Sequence, residues 1–158
     1  MPESQNQQIW NMKTTITHSD RSAHDFIIAQ QQNLCGNESI LFIDSDSLMV
    51  DIQYKILKRY GYVITPSIAT PDALNKFKAR PWFFDITICE MAMPVMTGLV
   101  LANKIKQIAP HIPIILSMGS SMLLGKTSCL YKDIDGFLIK PFTSTESMQL
   151  IRRLLDKL

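Results

Sequence analysis

From Ser39 onward the chain alternates between two textures, and this alternation constrains the fold more than any other feature. Short apolar runs that stop at a polar or charged residue take turns with segments of helical period. Ile40-Leu41-Phe42-Ile43 contains no polar residue and ends in Asp44. A strand with one wet face would alternate apolar and polar side chains, so an unbroken run reads as a strand covered on both faces. Tyr62-Val63-Ile64-Thr65, broken by Pro66, reads as a second strand, and Phe84 to Cys89, ending at Glu90, as a third. Pro113 to Ser117 reads as a fourth, and Phe137-Leu138-Ile139, followed by Lys140-Pro141, as a fifth.

Helices are expected between these strands. Leu48, Ile52, Ile56 and Tyr60 recur at spacing four, with Met49 and Leu57 beside them, and are read as the inward face of a first helix that Gly61 stops. Pro71 opens a short second helix carrying Ala73, Leu74 and Phe77. Leu101, Ile105 and Ile108 mark a third, ended before Pro110. Residues 120–131 are read as a fourth, and Met148, Ile151, Leu155 and Leu158 as the apolar stripe of a last, whose Arg152, Arg153 and Lys157 are read as a solvated face. Five buried strands alternating with helices require a parallel sheet covered on both faces: an α/β, (βα)5 doubly wound sheet. Right-handed crossovers leave few topologies, of which the flavodoxin-like order 2-1-3-4-5 is expected. Ligands of such sheets bind outside the carboxyl ends of the strands. Function is therefore to be read at Asp44-Ser45-Asp46, Glu90, Ser117-Met118 and Lys140-Pro141.

Residues 1–37 are polar and are read as an N-terminal extension, partly disordered or a short helix using Ala23, Phe26, Ile27 and Leu34, ahead of a domain at 38–158. His18 and His24 fall in it with no pattern around them that supports chemistry. A net charge of +2 is too mild to argue for nucleic acid or an anionic membrane. No apolar run approaches the roughly 20 residues that span a bilayer, and the start of the chain lacks the apolar stretch of a secretion signal. Cys35, Cys89 and Cys129 are far apart, so reduced thiols, no zinc site and a cytoplasmic location are expected.

The strand ends carry a resemblance. Glu90-Met91-Ala92-Met93-Pro94-Val95-Met96-Thr97-Gly98 is similar to the response-regulator receiver pattern of an acceptor aspartate, two residues, Met-Pro, one residue, Met, one residue and Gly, with every marker after the first position matching. Phe137 to Phe142 resembles the family's fifth strand with its Lys-Pro pair, Ile40 to Asp46 its first strand and acidic turn, and Ile112 to Gly119 its fourth. The resemblance implies a receiver domain of two-component signalling. There, a strand-end aspartate accepts a phosphoryl group from a histidine kinase with the help of Mg2+, an acidic pair, a Thr or Ser, and the lysine.

Matched position by position, the resemblance is to a divergent receiver. Asp44 matches the first acid, Ser45 stands where the second is expected, and Asp46 is adjacent. Glu90 occupies the acceptor position, Met118 the Thr/Ser position and Phe137 the switch aromatic, while Lys140 and Pro141 match. Glu places its carboxyl about one bond, roughly 1.5 Å, farther out than Asp. A misplacement of about 1 Å can cost on the order of 10²-fold in rate, and Met118 offers no hydroxyl. Asp46 is read as the cap of the first helix, leaving Asp44 for the pocket and as the remaining candidate metal ligand.

The expectation is a pseudo-receiver with no enzymatic activity and no cofactor. It would act by contact with a sensor histidine kinase or other signalling protein, with homodimerisation through helix 4, strand 5 and helix 5. The alternative is a working receiver phosphorylated on Glu90 or Asp46 with Mg2+; a lesser one is a small-ligand binder or enzyme on the same fold. The sequence leaves open whether the chain stands alone or belongs to a hybrid kinase.

Overall fold

The computed structural model describes residues 34–121 and 130–157. His18, His24, Cys129, Leu158 and most of the helix expected at 120–131 lie outside these residues, as does the expected N-terminal helix up to Asn33. Five strands, β1 (Ser39–Ile43), β2 (Val63–Ser67), β3 (Ile86–Glu90), β4 (Ile114–Gly119) and β5 (Gly136–Lys140), form one sheet in the order β2-β1-β3-β4-β5. Every pairing is parallel. The expected doubly wound, flavodoxin-like topology is therefore the observed one. The described helices are α1 (Ser47–Arg59), α2 (Thr70–Ala79), α3 (Gly98–Ile108) and α4 (Ser144–Leu155), the last being the helix expected as fifth.

Alternation along the strands divides the core between the two sheet faces. Leu41, Ile43, Cys89, Leu116 and Met118 pack with Ala73 and Phe77 of α2 and Leu101 and Ile105 of α3 in one apolar cluster. The other face is covered by α1 and α4, which touch each other. Cys89 is buried and Cys35 is partly exposed; both are free thiols.

Two expectations about the elements themselves fail, each for a geometric reason. The inward face of α1 is Val50, Gln53 and Leu57, continued by Tyr60, whereas Leu48 and Ile52 are exposed, at 64% and 41%. Residues strictly four apart advance 400° per step and so drift about 40° round the helix each time; a row of four of them winds off the buried face. Pro66 does not end the second strand but lies inside it, opposite Phe42. β2 is an edge strand, and a missing N–H costs nothing where that edge faces solvent.

Two glycines are required by close approach. Gly61 turns the chain out of α1 at φ 98°, and a Cβ there would collide with the carbonyl oxygen of Gly36. Gly98 opens α3 directly against the backbone of Glu90, whose carbonyl oxygen a Cβ would strike. Its N–H donates to Met91 O at 3.0 Å, which closes residues 91–97 over the end of β3. The last marker of the Met-Pro-x-Met-x-Gly run thus sets where Glu90 sits.

Candidate functional site at the carboxyl ends of the strands

Parallel pairing brings the ends of β1, β3 and β5 to one edge of the sheet. Ile43 lies opposite Cys89, so Asp44 and Glu90 leave adjacent strands side by side, and Gly119 lies opposite Lys140. The Lys140 side chain reaches back across β4, and its Nζ donates to Asp44 Oδ2 at 2.7 Å and to Glu90 Oε1 at 2.8 Å. The peptide between Lys140 and Pro141 is cis. Asp44 is 1% exposed, Glu90 15% and Lys140 25% at their side chains, so the cluster is largely withdrawn from water.

Ser45 joins the same cluster. Its Oγ donates to Glu90 Oε2 at 2.6 Å and its backbone N–H donates to the same oxygen at 3.1 Å. The second oxygen of Asp44, Oδ1, accepts the backbone N–H of Asp46 at 3.0 Å. Asp46 turns its own Oδ1 to the N–H groups of Leu48 and Met49, the N-cap of α1 expected from the sequence. Each oxygen of the Asp44 and Glu90 carboxylates thus has a donor within hydrogen-bond distance.

The electrostatics follow from burial and these bonds. Burial pushes the Asp44 carboxyl up and outweighs the lowering by Lys140 and the Asp46 N–H, so it sits above the ordinary aspartate value. At Glu90 burial also pushes upward, but the Lys140 and Ser45 bonds win and hold it below the ordinary glutamate value. Burial works against the Lys140 ammonium, yet its two carboxylate partners raise it. The cluster is a shared cation between two anions, of which Glu90 is the more firmly charged.

The remaining sequence candidates lie elsewhere. Met118 is buried in the apolar cluster, and the half-buried Phe137 packs against that cluster and meets Tyr131 edge to face at 5.6 Å between ring centres. Ser117, one residue earlier, is buried and opposite Glu90 in register, and its carbonyl accepts the Met91 N–H at 2.8 Å.

Sequence reasoning misses two participants. Ser45 presents itself in the chain only as a lost acid, yet it is a donor to Glu90; the signal is that this departure from the pattern and the one at Glu90 fall in one pocket. Arg152, expected with Arg153 and Lys157 on a solvated face, is 12% exposed at its side chain and forks onto both oxygens of Glu38 at 2.8 and 2.6 Å. No local pattern reveals a partner so far away in the chain.

The comparisons agree with this fold. Residues 40–152 match the family model described as response regulator receiver domain. The transcriptional regulatory protein ZraR of Salmonella typhimurium is 26% identical over 120 residues, covering 76% of this chain and 27% of the relative. The C4-dicarboxylate transport transcriptional regulatory protein DctD of Rhizobium meliloti is 28% identical over 119 residues, covering 75% and 25%. The chain thus spans about a quarter of the length of these relatives. A receiver domain protein from Clostridium thermocellum superposes with a TM-score of 0.71 at 23% identity, covering 76% of this chain and 95% of that one. The response regulator TrrA of Thermotoga maritima, solved with Mg2+-BeF, gives 0.67 at 24%, covering 75% and 99%. These two likenesses speak to the fold, and the family model to kinship. The chain belongs to the response regulator receiver domain family.

Proposed function

We propose that this receiver domain is a pseudo-receiver, a signalling module that works by protein–protein contact and in which Glu90 stands in the acceptor position without accepting phosphate. The observation that carries this reading is that the pocket's own groups already serve its carboxylates: Lys140 and Ser45 donate to the two Glu90 oxygens, and Lys140 and Asp46 to the two Asp44 oxygens. These bonds hold the longer Glu90 side chain against Lys140 and Ser45, so that aiming an oxygen at phosphorus would require breaking charge-assisted hydrogen bonds.

Magnesium does not fit this donor set. The ion demands near-octahedral oxygen ligands, usually one or two carboxylates with waters. Asp44 and Glu90 are held by Lys140, Asp46 is turned to cap α1, and no group of three acidic, His or Cys side chains suited to a metal occurs among the described residues. Ser45 completes the exchange: it removes the like charge an acid would bring beside Glu90 and adds a hydroxyl donor.

The contact surfaces fit a partner-binding role. Leu48 and Val95, 64% and 95% exposed, stand in the segments that follow β1 and β3, where a histidine kinase or other signalling protein would meet the pocket. The groove between β5 and α4, a cavity of about 410 Å3, is lined by Phe137, Ile139, Phe142 and Leu150 with Glu146 and Arg153, and suits a second copy of the domain. The Ser45 hydroxyl bonds to Glu90, but Lys140 holds that carboxylate below its ordinary value and makes it a poor base, which supports a non-enzymatic role. No helix among the described residues is long and apolar enough to cross a membrane, and the free thiols favour a cytoplasmic setting.

Incubation with acetyl phosphate and Mg2+, followed by intact-protein mass measurement, tests the reading. The parent chain should gain no phosphoryl mass, whereas the Ser45→Asp/Glu90→Asp double variant should gain one. A phosphoryl adduct on the parent chain would establish the working receiver instead.

A further inference from the structure

The opposite end of the sheet carries a second feature that the receiver reading does not use. Glu38 precedes β1, Asp85 precedes β3, His111, Ile112 and Pro113 lead into β4, and Leu155 closes α4; with Trp82 and Phe84 they line a cavity of about 290 Å3. A single 3-10 turn at Pro81–Phe83 projects Trp82 outward, 82% exposed. An indole so far out of the core is informative because Trp is ordinarily well buried.

Three observations fix the chemistry of an occupant. First, Trp82 has no ring or hydrogen-bond partner among the described residues, while the neighbouring Arg80 guanidinium is already committed to the Phe83 ring at 4.7 Å. Second, the two carboxylates are unequal. Both oxygens of Glu38 are taken by Arg152. Asp85 receives the Ser39 N–H at 2.7 Å on Oδ2, and its other oxygen has no partner among the described residues. Third, the volume of about 290 Å3 lies just below the roughly 300–1,000 Å3 typical of ligand pockets, enough for one side chain rather than a nucleotide. An exposed indole and a carboxylate oxygen without a protein donor, lining one cavity, call for a cation that can stack flat and donate in plane, which a guanidinium does and an ammonium does not.

We propose that this cavity receives an arginine side chain of a partner polypeptide, its guanidinium stacked on Trp82 and paired with Asp85. Trp and Arg are the residues most often found anchoring the centres of protein interfaces, which favours a polypeptide over a free amine as the source. The site is independent of Glu90, so this proposal and the pseudo-receiver reading stand or fall separately.

The test titrates acetyl-Gly-Arg-Gly-amide into the full chain carrying Trp10→Phe, so that Trp82 is the sole indole, and follows its emission and its indole N–H resonance. A saturable change is expected. The same peptide with neutral citrulline in place of arginine, and the Asp85→Asn variant with the original peptide, should each bind about tenfold more weakly. The asparagine side chain in that variant keeps an oxygen for the Ser39 N–H, and an unchanged thermal melt confirms its fold. Absence of saturable binding, equal binding of the citrulline peptide, or undiminished binding by Asp85→Asn overturns the proposal. Tighter binding of free arginine than of the peptide overturns the polypeptide source.

Discussion

The two ends of the sheet each hold one cation shared by two carboxylates, and they differ in what that cation is. At the carboxyl end Lys140 bridges Asp44 and Glu90; at the opposite end Arg152 bridges Glu38 and Asp156, at 2.6 and 2.8 Å, with its guanidinium 5.9 Å from the Tyr62 ring centre. Lysine is a compact point charge that follows its anions, so one Nζ can serve two carboxylates leaving different strands. Arginine is a rigid fork that fixes orientation, and it ties the segment before β1 to α4. The first cluster is the pocket of the proposed pseudo-receiver reading. The second is a clamp, with Tyr62 Oη donating to Leu34 O at 2.8 Å beside it. A pocket filled by its own cation and a clamp built from one thus look alike as ion pairs, and only their positions on the sheet tell them apart.

The sharpest way to break this comparison is Lys140→Met. It strands two carboxylates, one of them buried, and should cost about 2–3 kcal/mol, below the full buried-pair figure because Lys140 is partly exposed. Urea unfolding at neutral pH measures it; a loss under about 1 kcal/mol would mean that water reaches the cluster freely. Arg152→Lys should lose about 1–2 kcal/mol, because an ammonium cannot make both bonds to Glu38 and does not stack on Tyr62. A fully tolerated lysine there would refute the clamp.

Ser45→Ala should cost about 1 kcal/mol, the worth of one hydrogen bond to a charged group at a partly exposed site. Its pH signature is more telling. Glu90 is held below its ordinary value, so its contribution to stability is complete above about pH 4.5 and is lost as pH falls through the lowered folded value. Asp44 is held above its ordinary value and acts oppositely: its contribution is complete below about pH 3.8 and is lost as pH rises through the raised folded value. Removing the Ser45 hydroxyl should move Glu90 upward toward 4.5 and leave the acid limb more dominated by Asp44. Carboxyl-carbon NMR titration reads both groups; an unmoved Glu90 would show that the backbone N–H of Ser45 and Lys140 suffice. The smallest effect is expected for Arg153→Ala, exposed and beside Arg152 in sequence, within about 0.5 kcal/mol of the parent by the same urea measurement. A larger loss would enlist Arg153 in the clamp.

Much of the site is legible in the chain because strand ends are marked there. Asp44 and Lys140 each follow an unbroken apolar run and Glu90 a run broken by Thr87, and parallel pairing then forces such residues to one edge. The capping role of Asp46 is legible for the same local reason, a short acid immediately before a helical segment. The face of α1 is not, because spacing four is only approximately the helical repeat, so the apolar residues Leu48 and Ile52 say less about burial than Gln53 does by position. Pro66 misleads because its tolerance depends on whether the strand lies at an edge, which is a property of the sheet.

Sequence by itself determined what is local or repetitive: the alternation of buried strand and helix, hence the parallel sheet, its order, and the edge at which a site could form. Tertiary structure decided which donor reaches which oxygen. That Ser45 serves Glu90, that Lys140 spans two strands to hold two anions at once, and that Arg152 is a clamp rather than a solvated charge all depend on distances between residues remote in the chain. Hydrogen bonds, including those between charged partners, need their atoms placed to within a few tenths of an ångström, so a pattern that fixes topology to the strand leaves them open until the backbone is placed.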